Sequence, residues 1–238
     1  MEDNHMLTEQ KKKQLNTDLV IIAVVSFVIL GIYIILNHQI NTIVANESIS
    51  IVLRVLFVGG IFQFGLAGLG ITIVTLLRRE NFRQHGLTVK KLPITLLLSA
   101  ACCLPDFIYQ FVTGRVQPWL PFANVNTTYE VLASGFPSNV LGMLITAICW
   151  GFFEGFNYVV IADKINERFP SRHPLMDWGA LVCAVMCILV HGVIGITPSA
   201  LIDMFATMFL IYGMLVVKKQ TGNAWGCVMI FMAFWNAL

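Results

Sequence analysis

Charge is scarce in this chain. Only 12% of its 238 residues are Asp, Glu, Lys or Arg, about half of the roughly 25% usual in a soluble domain. By contrast, 57% are hydrophobic and the mean hydropathy is +0.78. This shortage excludes an ordinary soluble domain, because no core of this size hides so much apolar surface. Several stretches go without charge for long enough to cross a hydrocarbon layer of roughly 30 Å as helices of about 20 residues. The expected solvent is therefore the lipid bilayer. The chain also has no Cys-x-x-Cys pair: Cys102, Cys103, Cys149, Cys183, Cys187 and Cys227 all fall inside apolar runs, where cysteine behaves as a small hydrophobe. No small-residue cleavage site follows the first apolar run, Leu19 to Leu36, so the run reads as a retained span rather than a signal peptide, although Lys11, Lys12 and Lys13 precede it. The chain has no low-complexity segment and no inverted repeat of the kind that builds many transporters, which leaves one domain as the economical reading.

Hydropathy predicts seven spans, over 18–36, 51–77, 94–112, 138–162, 178–196, 200–217 and 223–238. The expected fold is an all-α, polytopic membrane bundle of about seven transmembrane helices, or eight if the chain continues past Leu238. A segment over 1–17 precedes a single transmembrane domain over 18–238. Lys and Arg alternate between loops. They occur before the first span, between the second and third (Arg78, Arg79, Arg83, Lys90, Lys91), after the fourth (Lys164, Arg168, Arg172) and after the sixth (Lys218, Lys219). The loops 37–50 and 197–199 have none, and 113–137 has only Arg115. Because basic residues concentrate on the cytoplasmic side, this pattern predicts a cytoplasmic N-terminus and, with seven spans, an external C-terminus. Topology alone explains the basic loops, so no nucleic-acid partner is implied.

An ionisable group inside a spanning helix costs roughly 2.5–3.5 kcal/mol on insertion scales and calls for a reason. Six candidates stand out: Arg54, Asp106, Glu154, Asp163, His191 and Asp203. Arg54 and Asp163 lie near span ends and are expected to snorkel to the interface. Asp106 follows Pro105 within the third span, where it would either cap a broken helix or serve a function. Glu154, in "WGFFEGFNYVV", has company. Asn157 and Tyr158 lie three and four residues on, so all three share one helical face. His191 sits mid-way along the next span and Asn236 near the end of the last. Glu, His and Asn on three helices would together orient water or hold a metal ion; alternatively they form a buried hydrogen-bond network that ties helices together.

The order of these residues, Glu154, then His191, then the segment "TGNAWG…MAFWNAL", resembles the CPBP family of intramembrane proteases. That family includes the CAAX prenyl-protein proteases and bacterial proteins linked to bacteriocin processing and immunity. Its marks are a Glu-Glu-x-x-x-Arg motif, a Phe-x-x-x-His motif and a His-x-x-x-Asn-like motif on successive helices, and the likeness covers about residues 138–238. The resemblance implies a bacterial cell membrane, a membrane-associated peptide or protein substrate, and a divalent metal such as zinc as cofactor, with His191 as a ligand. It assigns Glu154 the activation of water, and His191 and Asn236 the binding of metal or of the oxyanion, with Asn157 and Tyr158 in support. The chain departs from the pattern at several positions. The second acid is replaced by Phe153 or Gly155, the Arg by Tyr158 or Val159, the Phe by Cys187, and the third motif's His by Met232.

Three functions stay open at this point. The first is peptidase action on a membrane-associated peptide or lipid-anchored protein tail. The second is binding of a membrane peptide or protein without cleavage, in immunity or maturation. The third is transport along a polar path through Asp106, Glu154 and Asp203.

Overall fold

The computed structural model describes residues 7–173 and 175–237. Residues 1–6 of the predicted N-terminal segment, and Leu238 at the end of the last predicted span, lie outside the described residues. Every long apolar run is helical, and no strand occurs among the described residues. In chain order the helices are α1 (Glu9–Ile35), the short α2 (Asn37–Val44), α3 (Ile51–Arg78), α4 (Leu92–Val112), the short α5 (Thr128–Ala133), α6 (Ser138–Arg168), α7 (Trp178–His191), α8 (Pro198–Thr221) and α9 (Trp225–Trp235). Of these, α1, α3, α4, α6 and α8 are long and apolar enough to cross a membrane. They turn Phe27, Leu76, Leu97 and Phe111 outward, an apolar exterior that lipid solvates and water does not.

The other two predicted spans are shorter than expected. α7 has 14 residues, a rise of about 21 Å against the roughly 30 Å of a bilayer core. It stops after His191 because Gly192, at φ 65°, takes up the left-handed conformation that ends a helix. α9 is likewise a short apolar helix, packed against α4, α6 and α8. At the other end of the chain, Thr8 accepts a hydrogen bond from the Lys11 N–H and starts α1 at Glu9. Residues 9–17 form the first turns of α1.

α6 is the hub. It contacts α1, α3, α5, α7, α8 and α9, and Phe156, Val159 and Val160 on it are fully buried. Without a hydrophobic drive between helices in lipid, close approach of backbones has to supply the packing. Gly151 and Gly155, one turn apart on α6, permit that approach to α9: a Cβ at Gly155 would sit 2.8 Å from the Cys227 carbonyl oxygen and 3.0 Å from Val228 Cα. α4 is broken at Cys102–Cys103, with Pro105 in the first turn of its second half, as proline's missing N–H and ring clash require. The break occurs where the sequence places it, but Asp106 does not cap it. The carboxylate accepts from Gln110 Nε2 at 2.7 Å instead.

Loops expected on one side of the membrane do meet at one end of the bundle, around Lys164. That ammonium lies 3.1 Å from Asp18 Oδ2 on α1 and 3.1 Å from Glu80 Oε2 on the α3–α4 connection. Arg78 bonds the other Asp18 oxygen at 2.7 Å. Asp163 is paired with Lys218 and lies 2.9 Å from His85 Nδ1. The expectation for Asp163 is corrected here: its carboxylate is paired within this cluster, with 29% of its side chain exposed, rather than reaching out alone. His85, which it meets, is buried. Long side chains drawn together from four segments exclude water from one another.

Arg54 is also corrected. It does not snorkel: it is 3% exposed and forks onto the Glu130 carboxylate, with Nη1 at 2.9 Å from Oε2, while also donating to the Val44 and Ile49 carbonyls at 2.7 and 3.0 Å. A lysine has no planar fork with which to reproduce this set. Arg54→Lys is therefore expected to lower stability by about 1.5–3 kcal/mol, the contribution of a charged hydrogen bond, read from thermal unfolding in detergent; an unchanged midpoint would show that the fork contributes nothing.

Candidate functional site

Four wide, π-helical stretches occur among the described residues, and three of them end at or beside a polar side chain. In α3 the stretch Leu56–Gln63 ends on Gln63, in α6 Ala147–Phe153 is followed by Glu154, and in α9 Phe231–Trp235 is followed by Asn236. The widened segments of α3 and α6 pack on each other, as do those of α6 and α9. A π-turn inserts a residue into the helical register and turns the following side chains about the axis, which is one reason such turns recur at functional sites.

Glu154 is buried at 6% exposure, with both carboxylate oxygens engaged. Gln63 Nε2 donates to Oε2 at 2.9 Å, and His191 Nε2 lies 3.5 Å from Oε1. The ring of Trp235 stands edge-on to His191, centroids 5.1 Å apart. His191 is the last residue of α7, so the helix stop at Gly192 sets where its imidazole sits. Beside this pair lies a cavity of about 250 Å³, lined among others by Tyr33 of α1, Phe62 and Gln63 of α3, Trp150 of α6 and His191 of α7. The indole of Trp150 enters because Gly59 on α3 has no side chain: a Cβ there would meet the indole at 2.8 Å. The arrangement is one carboxylate and one imidazole at the edge of a mostly apolar chamber.

The other predicted site residues stand differently. Asn157 and Tyr158 are buried, as their shared face with Glu154 suggests, but neither bonds the carboxylate: Asn157 Oδ1 has no partner among the described residues, and the Tyr158 ring stacks on Phe231. Gln63 fills the supporting place expected of them. Asn236 donates to the Trp150 carbonyl at 3.3 Å and to the Phe231 carbonyl at 3.2 Å. The Glu154 N–H turns to the Gly151 carbonyl, so the Asn236 amide bonds the carbonyl four residues before Glu154 and ties α9 to the wide turn that presents the acid. Asn236 thus reaches the site through the backbone beneath Glu154.

Neither sequence nor structure links the chain to a known family by similarity. No family model, curated protein or solved structure matches it.

The fit of a metal is decided by the donors. Among the described residues no three His, Cys, Asp or Glu side chains converge, and catalytic zinc takes three protein ligands. Glu154 and His191 make two, and an amide from Gln63 is a poor third. The residues do not fit a catalytic zinc ion, and no chemical step is derived through one. Gln63 was missed at the sequence level because only charged groups were weighed in that span. The available signal was its being the one amide in the uncharged run "LFVGGIFQFGLAGLGITIV".

Proposed function

We propose that the chain is a membrane-embedded peptidase of the CPBP type, with Glu154 as general base. The observation that carries this reading is the buried Glu154 carboxylate 3.5 Å from the Nε2 of His191, a residue that lines an apolar chamber. Because the Gln63 amide occupies Oε2, Oε1 is the oxygen available to take a proton. A water bound beside Oε1 attacks the peptide carbonyl carbon and gives its proton to Glu154. The developing oxyanion is met by an N–H of the imidazole. Collapse breaks the C–N bond, and Glu154 returns the proton to the leaving amine. An apolar chamber suits an aliphatic or lipid-anchored segment. The Lys and Arg distribution supports a cytoplasmic N-terminus, and with it a cytoplasmic position for the Lys164 cluster.

A second reading, binding of a membrane peptide without cleavage, is favoured by a separate observation. Both amide protons of Asn236 are committed to main-chain carbonyls, which removes one expected oxyanion donor. One experiment separates the two. The purified protein in liposomes is given quenched-fluorescence peptides carrying a C-terminal lipid anchor, beside Glu154→Gln. Peptidase action predicts cleavage that falls by at least about 10²-fold in the variant. Cleavage unchanged in Glu154→Gln would remove Glu154 as base, and saturable binding without cleavage by either protein would establish the second reading.

A further inference from the structure

Among the described residues, Asp106 is the acid within the spanning helices that has no basic partner. Asp18 is matched by Arg78 and Lys164, Glu80 by Lys164, Glu130 by Arg54, Asp163 by Lys218, Asp177 by Lys219, Asp203 by Arg115 and Glu154 by His191. Asp106, in the second half of the broken α4, has the Gln110 amide and no Lys, Arg or His among the described residues. A carboxylate at membrane depth is costly, and ordinarily pairs within the bundle or marks a ligand path.

Asp106 opens on a cavity of about 190 Å³, bounded by Gln110 on α4, Thr207 on α8, and Phe234 and Trp235 on α9. Thr207 is nine-tenths buried and lines this cavity, and its hydroxyl makes no hydrogen bond among the described residues. The one ionisable group of the lining is the Asp106 carboxylate. One Gln110 N–H is given to Asp106 Oδ2, and Asp106 Oδ1, Gln110 Oε1 and the Thr207 oxygen remain as acceptors, beside the second Gln110 N–H, the Thr207 O–H and the Trp235 indole N–H as donors. Phe234 and Trp235 add aromatic surface, which attracts cations through the ring quadrupole. Asp203, one turn before Thr207 on α8, is already paired with Arg115, so the uncompensated charge is that of Asp106. Lysine ammonium and arginine guanidinium groups are donors only, so they complement the carboxylate and the neighbouring oxygens, whereas an anion would be repelled by Asp106. The volume is below the roughly 300 Å³ of the smallest usual small-molecule sites, which suits a single head group with a short alkyl stem.

We propose that this cavity is a binding site for one organic cation, an alkylammonium or alkylguanidinium group, as carried by a basic side chain of a membrane peptide or by a free amine. The assignment stands whether or not Glu154 hydrolyses a bond. Trp235, which lines this cavity and meets His191 edge-on, places the site next to the Glu154 pair.

The test uses the full chain in phosphatidylcholine nanodiscs, titrated with n-butylguanidinium and n-butylammonium, and with n-butanol as the uncharged probe. Binding is read by saturation-transfer NMR of the probe and by tryptophan fluorescence. The expected result is saturable binding of both cations and none of butanol, weakened at least about 10-fold in Asp106→Asn, with the fluorescence change lost in Trp235→Phe. Thr207→Val, weakened to a lesser degree, serves as the second variant if Asp106→Asn fails to fold by circular dichroism. No saturable binding by the natural chain, equal binding by Asp106→Asn or, where that variant fails to fold, by Thr207→Val, or displacement by sodium at the concentration of the probe would overturn the proposal. A basic peptide that competes with butylguanidinium identifies the side-chain source. Failure of the peptide to compete while the free amine binds identifies a small amine.

Discussion

Replacing Lys164 by methionine is expected to lower the unfolding free energy by about 3–5 kcal/mol, the usual cost of breaking a buried ion pair from one side. Lys164 is 2% exposed and Asp18 is fully buried. Methionine keeps the stem's length and packing, so the loss comes from the charge. Asp18 would keep Arg78 at 2.7 Å, but its Oδ2 would lose the ammonium at 3.1 Å, and Glu80 would lose its nearest cation. Pairing Lys164→Met with Asp18→Asn removes both charges of the contact. A double-mutant cycle should return a coupling energy within about 0.5–3 kcal/mol, so the double variant is expected to be more stable than the sum of the single changes predicts. Chemical unfolding in mixed micelles, followed by helical signal, gives all four values. Strict additivity would mean that Lys164 and Asp18 do not interact, and that the cluster contributes only through packing.

Gly155→Val is expected to separate α9 from α6 and to disturb the site in the same step. The added Cβ would lie 2.8 Å from the Cys227 carbonyl oxygen and 3.0 Å from Val228 Cα, backbone atoms that have no rotamer with which to move aside. Overpacking costs typically 1–3 kcal/mol where side chains can adjust, so the upper end, about 3 kcal/mol, is expected here. The displaced helix carries Trp235, which meets His191, and Asn236, which bonds the Trp150 carbonyl. Gly31→Ala is the matching control. A Cβ at Gly31 meets nothing within 4 Å, and alanine gains up to about 1 kcal/mol over glycine in a helix. Thermal midpoints of the two variants should therefore move in opposite directions. Equal, small shifts would show that α6 and α9 are not held at the close distance that Gly155 permits.

Much of the architecture can be read from the sequence because the membrane makes a strong demand. A spanning segment must satisfy its own backbone and present apolar side chains, so hydropathy alone finds all five long helices, and the alternation of Lys and Arg groups the loops that meet around Lys164. The break in α4 is legible in the same way from Pro105. The two short helices were over-extended, since α7 ends at a glycine within an apolar run and hydropathy cannot see a left-handed turn.

The site was half legible. Glu154 and His191 stand out as ionisable groups in hydrocarbon, and the structure brings them to 3.5 Å. Their neighbours could not be found by counting turns of 3.6 residues. Glu154, Asn157 and Tyr158 share the regular helical stretch Glu154–Arg168, so they do lie on one face, but the partner of the carboxylate is Gln63 on another helix, 91 positions away in sequence. Arg54 failed for a related reason. Its partner, Glu130, comes from a distant segment, and a charge looks destined for solvent until its counter-ion is known.

By itself the sequence determined the solvent, the helical class, the long spans and the two ionisable residues that face each other, because each follows from the cost of polar groups in lipid. Only the tertiary structure decided which polar groups are partnered: that Gln63 holds Glu154, that Asn236 is engaged with the backbone below it, and that Asp106 meets no cation among the described residues. Partnership is a property of distances between helices, and those distances are set by glycines, wide turns and packing that no local pattern encodes.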